Sequence, residues 1–121
     1  MGTFDEVRSL LPREVWDGIL ARSVHGDRLT LGIVELEPGA QAREHSHDHE
    51  QIGLVLQGTI DFRIGDERKT LGPGATYVIP SNVPHEAVAG PEGTVVIDVF
   101  APVRQEWRDM DPAEQREPRW P

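Results

Sequence analysis

The chain has 121 residues and a mass of 13.5 kDa, the size of one domain with a single core and too short for two ordinary ones. Twenty-one acidic against twelve basic side chains give a formal net charge of −9, and no Lys/Arg cluster is long enough to follow a phosphate backbone, so nucleic acid is not an expected partner. The chain has no cysteine, which excludes a disulfide framework, a thiolate metal site and a cysteine nucleophile, and leaves nitrogen and oxygen as the ligands for any metal.

Residues 1 to 13 (MGTFDEVRSLLPR) lack the basic start and apolar run of a secretory signal. No stretch reaches the roughly 18 apolar residues of a membrane helix. They read as a short arm on a cytoplasmic protein without membrane contact. From residue 14 to 100 short apolar, β-branched runs alternate with Gly, Pro and Asp turn signals, the pattern of an all-β sandwich or barrel. The expected strands are Val15 to Val24, Arg28 to Glu37, Ala40 to His47, Glu50 to Gln57, Thr59 to Ile64, Lys69 to Leu71, Thr76 to Ile79, Glu86 to Ala89 and Thr94 to Phe100. Nine short strands leave no room for crossover helices, so the sheet is expected to be antiparallel. Residues 101 to 121 change character, with four prolines and many charges. A short helix over 104 to 110 and an extended tail are expected there.

Three of the five histidines fall in REHSHDHEQ, residues 43 to 51. On a regular strand His45, His47, His49 and Gln51 share one face, and imidazoles about 6.6 Å apart along the backbone can lean onto one ion at about 2.0 to 2.1 Å per bond. A solvated His-rich turn is the plain alternative. Two ligands on one strand do not fix a metal, so another must come from elsewhere. His25 sits in a Gly-Asp turn, whereas His85 follows a turn stiffened by Pro80 and Pro84.

From Gly39 the chain reads GAQAREHSHDHEQIGLVLQG, and from Gly74 it reads GATYVIPSNVPHEAVA. The first resembles the first cupin motif, with Gln51 where the family usually has an acidic ligand. The second resembles the second cupin motif, with Asn82 where glycine is preferred and Ala89 where asparagine is common. Fifteen residues separate Gly58 from Gly74, a linker within the family's habit. The resemblance implies a small RmlC-like jelly-roll β-barrel with a divalent metal held by His45, His47, Gln51 and His85. Glu50 is the backup ligand if a bulge shifts the register.

Three histidines and a glutamine are neutral, so a divalent ion held by them keeps its charge for an anionic or chelating oxygen ligand. That set suits Lewis-acid work on a carbonyl or hydroxyl better than the carboxylate-bearing oxygenase site, and it leaves Zn, Ni, Fe, Mn and Co all open. In TVVIDVF, Asp98 is the one ionisable residue of an otherwise apolar strand. It must be paired, metal-linked or functional, because desolvating a lone carboxylate is costly. HSHxHEQIG followed by DVFxPxR further resembles cupins acting on unsaturated uronates in pectin and alginate breakdown, and the metal motif resembles polyketide-cyclising cupins. By that resemblance Asp98, Phe100 and Arg104 lie at the substrate. Arg43 and Gln41 share the ligands' parity, so Arg43 is a second candidate to grip a substrate carboxylate. Tyr77 and the three tryptophans read as packing residues.

Two function classes follow. The first is a metal-dependent isomerase- or cyclase-type enzyme acting on a small oxygen-rich substrate, a sugar acid or a polyketide-like enol. The second is a non-catalytic small-ligand binder or sensor; a metal-dependent dioxygenase is a further alternative. Ile52, Leu54 and Leu56, opposite Gln51, need cover from a second sheet, a terminal arm or a partner, and a homodimer is expected.

Overall fold

A computed structural model describes residues 3–121; the first two residues of the expected arm lie outside it. Eight strands follow a 3₁₀ turn at Val7–Ser9: β1 Arg13–Trp16, β2 Ile19–His25, β3 Thr30–Leu36, β4 Gln41–His45, β5 Glu50–Ile64, β6 Glu67–Leu71, β7 Thr76–Ile79 and β8 His85–Ala101. Helix α1, Gln105–Asp109, comes last. Every pairing is antiparallel, in the order β1-β2-β3-β8-β5-β6, with β4 added to β8 and β7 to β5.

The long strands β5 and β8 make the barrel. The second half of β8 pairs with β3 and with the first half of β5, whereas its first half pairs with β4 and the second half of β5. Each therefore belongs to both layers. Sequence signals at Gly58 and at Gly90 to Gly93 suggest breaks that would divide these into four strands. They are instead bends within continuous strands, marked by register shifts beside Gly58, because a bulge turns a strand without ending it. Conversely, the expected strand Val15 to Val24 is a hairpin, split by the two-residue turn Asp17-Gly18, a pair that favours tight hairpin turns.

Side chains of alternate residues meet between the layers. Val34, Leu36, Val55, Ile60, Phe62, Ile79 and Val96 are buried there with Tyr77, Phe100 and Trp107. The other face of β2 and β3 is covered by the tail. Arg22 and Glu35, both essentially inaccessible, pair at 2.7 Å. Arg22 also donates to the Arg116 carbonyl at 2.7 Å, and Glu35 accepts from the Arg116 side chain and the Arg119 amide. A buried pair is tolerable only with such additional bonds, so the extended tail completes the fold. It is held at its start by Ala113 N–H donating to the Pro12 carbonyl.

The tail stops short of one outward row. Leu31 pairs with Val99, Val99 with Ile52 and Ile52 with Val78, and Leu31, Ile52 and Val78 are 39%, 50% and 54% exposed. No helix of the described residues is long and apolar enough to cross a membrane.

Candidate metal centre and cavity

The open end of the barrel is where His45, His47 and His85 meet. His45 ends β4 directly opposite His85 at the start of β8, and His47 lies in the loop leading to β5. That loop is clamped by the turn before β8: Asn82 N–H donates to the His47 carbonyl at 2.8 Å and Ser81 Oγ to the Asp48 carbonyl at 2.6 Å. Asn82 adopts φ 65°, a left-handed conformation that asparagine tolerates better than most residues, which accounts for asparagine in glycine's place.

Each of the three imidazoles has its Nδ1 within hydrogen-bonding distance of a backbone carbonyl: His45 with Arg43 at 2.6 Å, His47 with His49 at 2.9 Å and His85 with Val83 at 2.9 Å. A carbonyl only accepts, so each Nδ1 carries the proton and each Nε2 presents a bare lone pair. The three ligand atoms lie within 4.8 Å of one another, and nitrogens on one ion sit roughly 3 to 4 Å apart at normal bond lengths. Small side-chain movements close that gap. His47 Nε2 also faces Gln51 Oε1 at 3.2 Å, two acceptors with no proton of their own between them. A cation at that point resolves the contact, so these four residues fit a divalent ion.

Burial favours the neutral form of His85 and His47. Desolvation lowers the pKa of His85 to about 4, helped by the positive charge of Arg104 and by its histidine neighbours, against the opposing pull of its carbonyl bond. Desolvation and then Arg104 likewise lower that of His47. Glu50 is exposed while Gln51 is buried and lines the cavity, so the parity argument for Gln51 over Glu50 agrees with the side-chain placement. His49 turns away to the Val103 carbonyl, and His25 lies with Ser23 and Thr30.

One row inward, Gly32, Asp98, Gly53 and Tyr77 are successive cross-strand partners. Both glycines stand where an aromatic ring needs the space: a Cβ at Gly53 would overlap the Tyr77 ring, and one at Gly32 would come within 2.8 Å of the Trp107 ring. Tyr77 thereby reaches across to donate its hydroxyl proton to Asp98 Oδ1 at 2.6 Å. Gln51 also hydrogen-bonds Asp98. A carboxylate cannot donate, so the bond comes from the Gln51 amide nitrogen while its oxygen faces His47, a double task that glutamate could not perform. Burial pushes the Asp98 carboxyl up to about 6 despite these bonds and Arg104 nearby, and the Tyr77 hydroxyl goes well above its ordinary value through burial and the Asp98 charge.

Arg104 closes one side of the mouth. Its guanidinium carbon stands 4.7 Å from the centre of the Phe100 ring and 4.8 Å from that of Trp107, its Nε donates to Glu106 and its backbone N–H to Thr30 Oγ1. Trp16 stands 5.1 Å from His45 on the other side. The cavity so enclosed measures about 250 Å³.

Arg43 requires a correction. It is exposed, as is Gln41, and neither lines the cavity. Between Ala42 and His45 the ladder slips by one residue, so a bulge reverses the parity of β4 and puts Ala42 on the inner face. Tyr77 and Trp107, read from sequence as packing residues, do pack but also frame Asp98; the signal available was a glycine in the middle of each of two β-branched strands.

In comparisons with known proteins, the Cupin domain profile matches residues 32–100. The chain belongs to the cupin family. A pectin degradation protein, KdgF of Dickeya dadantii (strain 3937), is 34% identical over 96 residues, covering 78% of this cupin and 87% of that protein. The structure of KdgF from Halomonas sp. superposes with a TM-score of 0.81 and 32% identity over 88% of this cupin and 99% of that chain. The polyketide cyclase RemF of Streptomyces resistomycificus gives a TM-score of 0.73 and 26% identity over 84% and 80% of the two chains.

The Asp98 environment sets a pH dependence of stability in the metal-free protein. Its folded pKa of about 6 lies above the ordinary 3.8, so the stability it contributes is complete below pH 3.8 and is lost as the pH rises through 6. At about 1.4 kcal/mol per pH unit the buried charge then costs about 3 kcal/mol. Asp98→Asn is therefore expected to exceed the wild type in urea denaturation by up to about 3 kcal/mol at pH 8, the advantage vanishing towards pH 4. A variant no more stable than wild type at pH 8 contradicts the assigned burial.

Proposed function

We propose that this cupin is a divalent-metal-dependent enzyme that moves a proton on a small anionic carbonyl or enol compound, by tautomerisation, ring opening or cyclisation. The observation that carries this reading is the placement of Asp98, a buried carboxylate with a raised pKa, one row beneath four convergent side chains that fit a divalent ion. His45, His47, His85 and Gln51 would hold the ion, which when bound supplies Lewis-acid polarisation of a substrate oxygen. Asp98 Oδ1 is held by Tyr77, leaving Oδ2 to take a proton from carbon next to a substrate carbonyl and return it at a second site, the electron pair shifting between those two positions. Its pKa suits exchange near neutral pH, and a bound cation would lower it. Arg104, stacked on Phe100 and Trp107, grips the substrate carboxylate and Phe100 walls the reacting group. Likeness to KdgF and to RemF makes unsaturated uronates and polyketide-like enols the two substrate classes to assay.

His85→Ala is expected to lower metal content sharply in elemental analysis with the barrel intact, since the core is separately stabilised. Asp98→Asn should keep the metal yet lose turnover by at least a hundredfold, the ordinary scale of general acid–base catalysis being about 10² to 10⁴. Full metal occupancy in His85→Ala removes the ligand assignment. Near-normal turnover in metal-loaded Asp98→Asn removes the proton-transfer role, and ligand binding without turnover in the wild type returns the protein to the binder class.

The exposed row Leu31, Val99, Ile52 and Val78 fits a second copy of this chain. It is contiguous across four strands, and the described residues of the terminal arms leave Leu31, Ile52 and Val78 exposed. Sedimentation should give a dimer for the wild type and a monomer for Ile52→Asp; a wild-type monomer at all concentrations contradicts the pairing.

A further inference from the structure

The cavity is chemically divided along its depth, in rows about 6.7 Å apart. The mouth carries the histidines, Gln51 and Arg104, and the next row carries Asp98 and Tyr77. Phe62 packs against Tyr77 in that row, ring centroids 4.5 Å apart, and beneath it the lining is Val34, Leu36, Ile60 and Val96, all buried. Val34 pairs with Val96 and Val96 with Val55 across one layer, and Phe62 with Ala87 across the other. Their peptide groups belong to the strand ladders, and their side chains offer a ligand no donor or acceptor.

A ligand hydroxyl placed there has nothing to bond. Each such group costs roughly ten- to a hundredfold in affinity, whereas each buried methylene gains about fourfold. Space at that depth therefore discriminates between substrate classes that the metal ligands treat alike. The volume, about 250 Å³, lies below the roughly 300 to 1,000 Å³ of drug-sized pockets, which restricts any tail to a few carbons.

We propose that the cavity takes an amphiphilic acid: chelating oxygens and a carboxylate at the mouth, and a short hydrocarbon tail running down past Asp98 between Val34, Val96 and Phe62. This rests on the metal-centre reading for the mouth and names the substrate class it serves, a tailed enol or oxo acid in preference to a fully hydroxylated sugar acid. Trp16 and the Phe100–Trp107 pair, whose rings lie 4.9 Å apart, wall the entrance with apolar surface consistent with that class.

Calorimetry on the zinc-loaded protein with acetohydroxamate, butanohydroxamate, hexanohydroxamate and gluconohydroxamate tests it. Affinity should rise about fourfold per methylene, roughly two orders of magnitude from the two-carbon to the six-carbon chain. The longer ligands should displace acetohydroxamate one for one, and gluconohydroxamate should bind no tighter than acetohydroxamate. Acetate, hexanoate and gluconate on the metal-free protein form a second arm, in which Arg104 and the cavity act without the ion. A flat response to chain length in both arms, or gluconate chains binding tighter than hexanoate chains, overturns the proposal. If zinc adds nothing to hydroxamate binding but hexanoate still exceeds acetate, the tail site stands and the metal-centre reading fails.

Discussion

Lone pairs aimed at one point repel unless something positive stands between them, and that constraint organises the open end of this barrel. Three carbonyls fix the protons of three imidazoles on Nδ1, and the bare Nε2 atoms converge with the Gln51 oxygen. Strand pairing puts His45 opposite His85, while the Asn82 and Ser81 bonds to the His47 loop bring in the third ring. The geometry is thus imposed by backbone hydrogen bonds, which are stiff, rather than by side-chain packing alone. Hydrogen bonds of this kind hold imidazole rings in a fixed orientation without an ion.

Gln51 connects this set to the chemistry below it. An amide offers an acceptor and a donor at once, so its oxygen faces His47 Nε2 while its nitrogen supports Asp98. A glutamate in the same place would add a negative charge beside a carboxylate that burial already disfavours, and the two could not readily ionise together. The departure from the usual acidic ligand and the presence of an ionisable residue in the TVVIDVF strand are therefore one feature. The cost of burying Asp98 is only partly offset by Tyr77, Gln51 and Arg104, which leaves its carboxyl at a pKa of about 6.

Much of this was legible in the sequence because its signals are local. The period of two placed Gln51 inside and Glu50 outside, the Pro-bounded turn singled out His85 over His25, and the paired motifs identified the barrel. Non-local features were not legible. The bulge in β4 arises from pairing with β8 and reverses the parity on which Arg43 was judged. Gly58 and Gly90 to Gly93 read as turns because a bend shared by two paired strands has the same local composition as a loop. The use of Tyr77 and Trp107 depended on glycines in other strands, Gly53 and Gly32, and the tail's role depended on an ion pair between β2 and β3.

In the proposed function one divalent ion is held by the Nε2 atoms of His45, His47 and His85 with the Gln51 oxygen, leaving positions open to a chelating oxygen ligand. Crystallography of the metal-loaded protein, with anomalous data across several metal edges, tests it most directly. A single ion is expected at that point, about 2.0 to 2.1 Å from each nitrogen if it is zinc, with solvent or ligand oxygen completing its shell on the cavity side. An ion bound elsewhere, one ligated by Glu50 in place of Gln51, or three histidines that stay apart in saturating metal would contradict it.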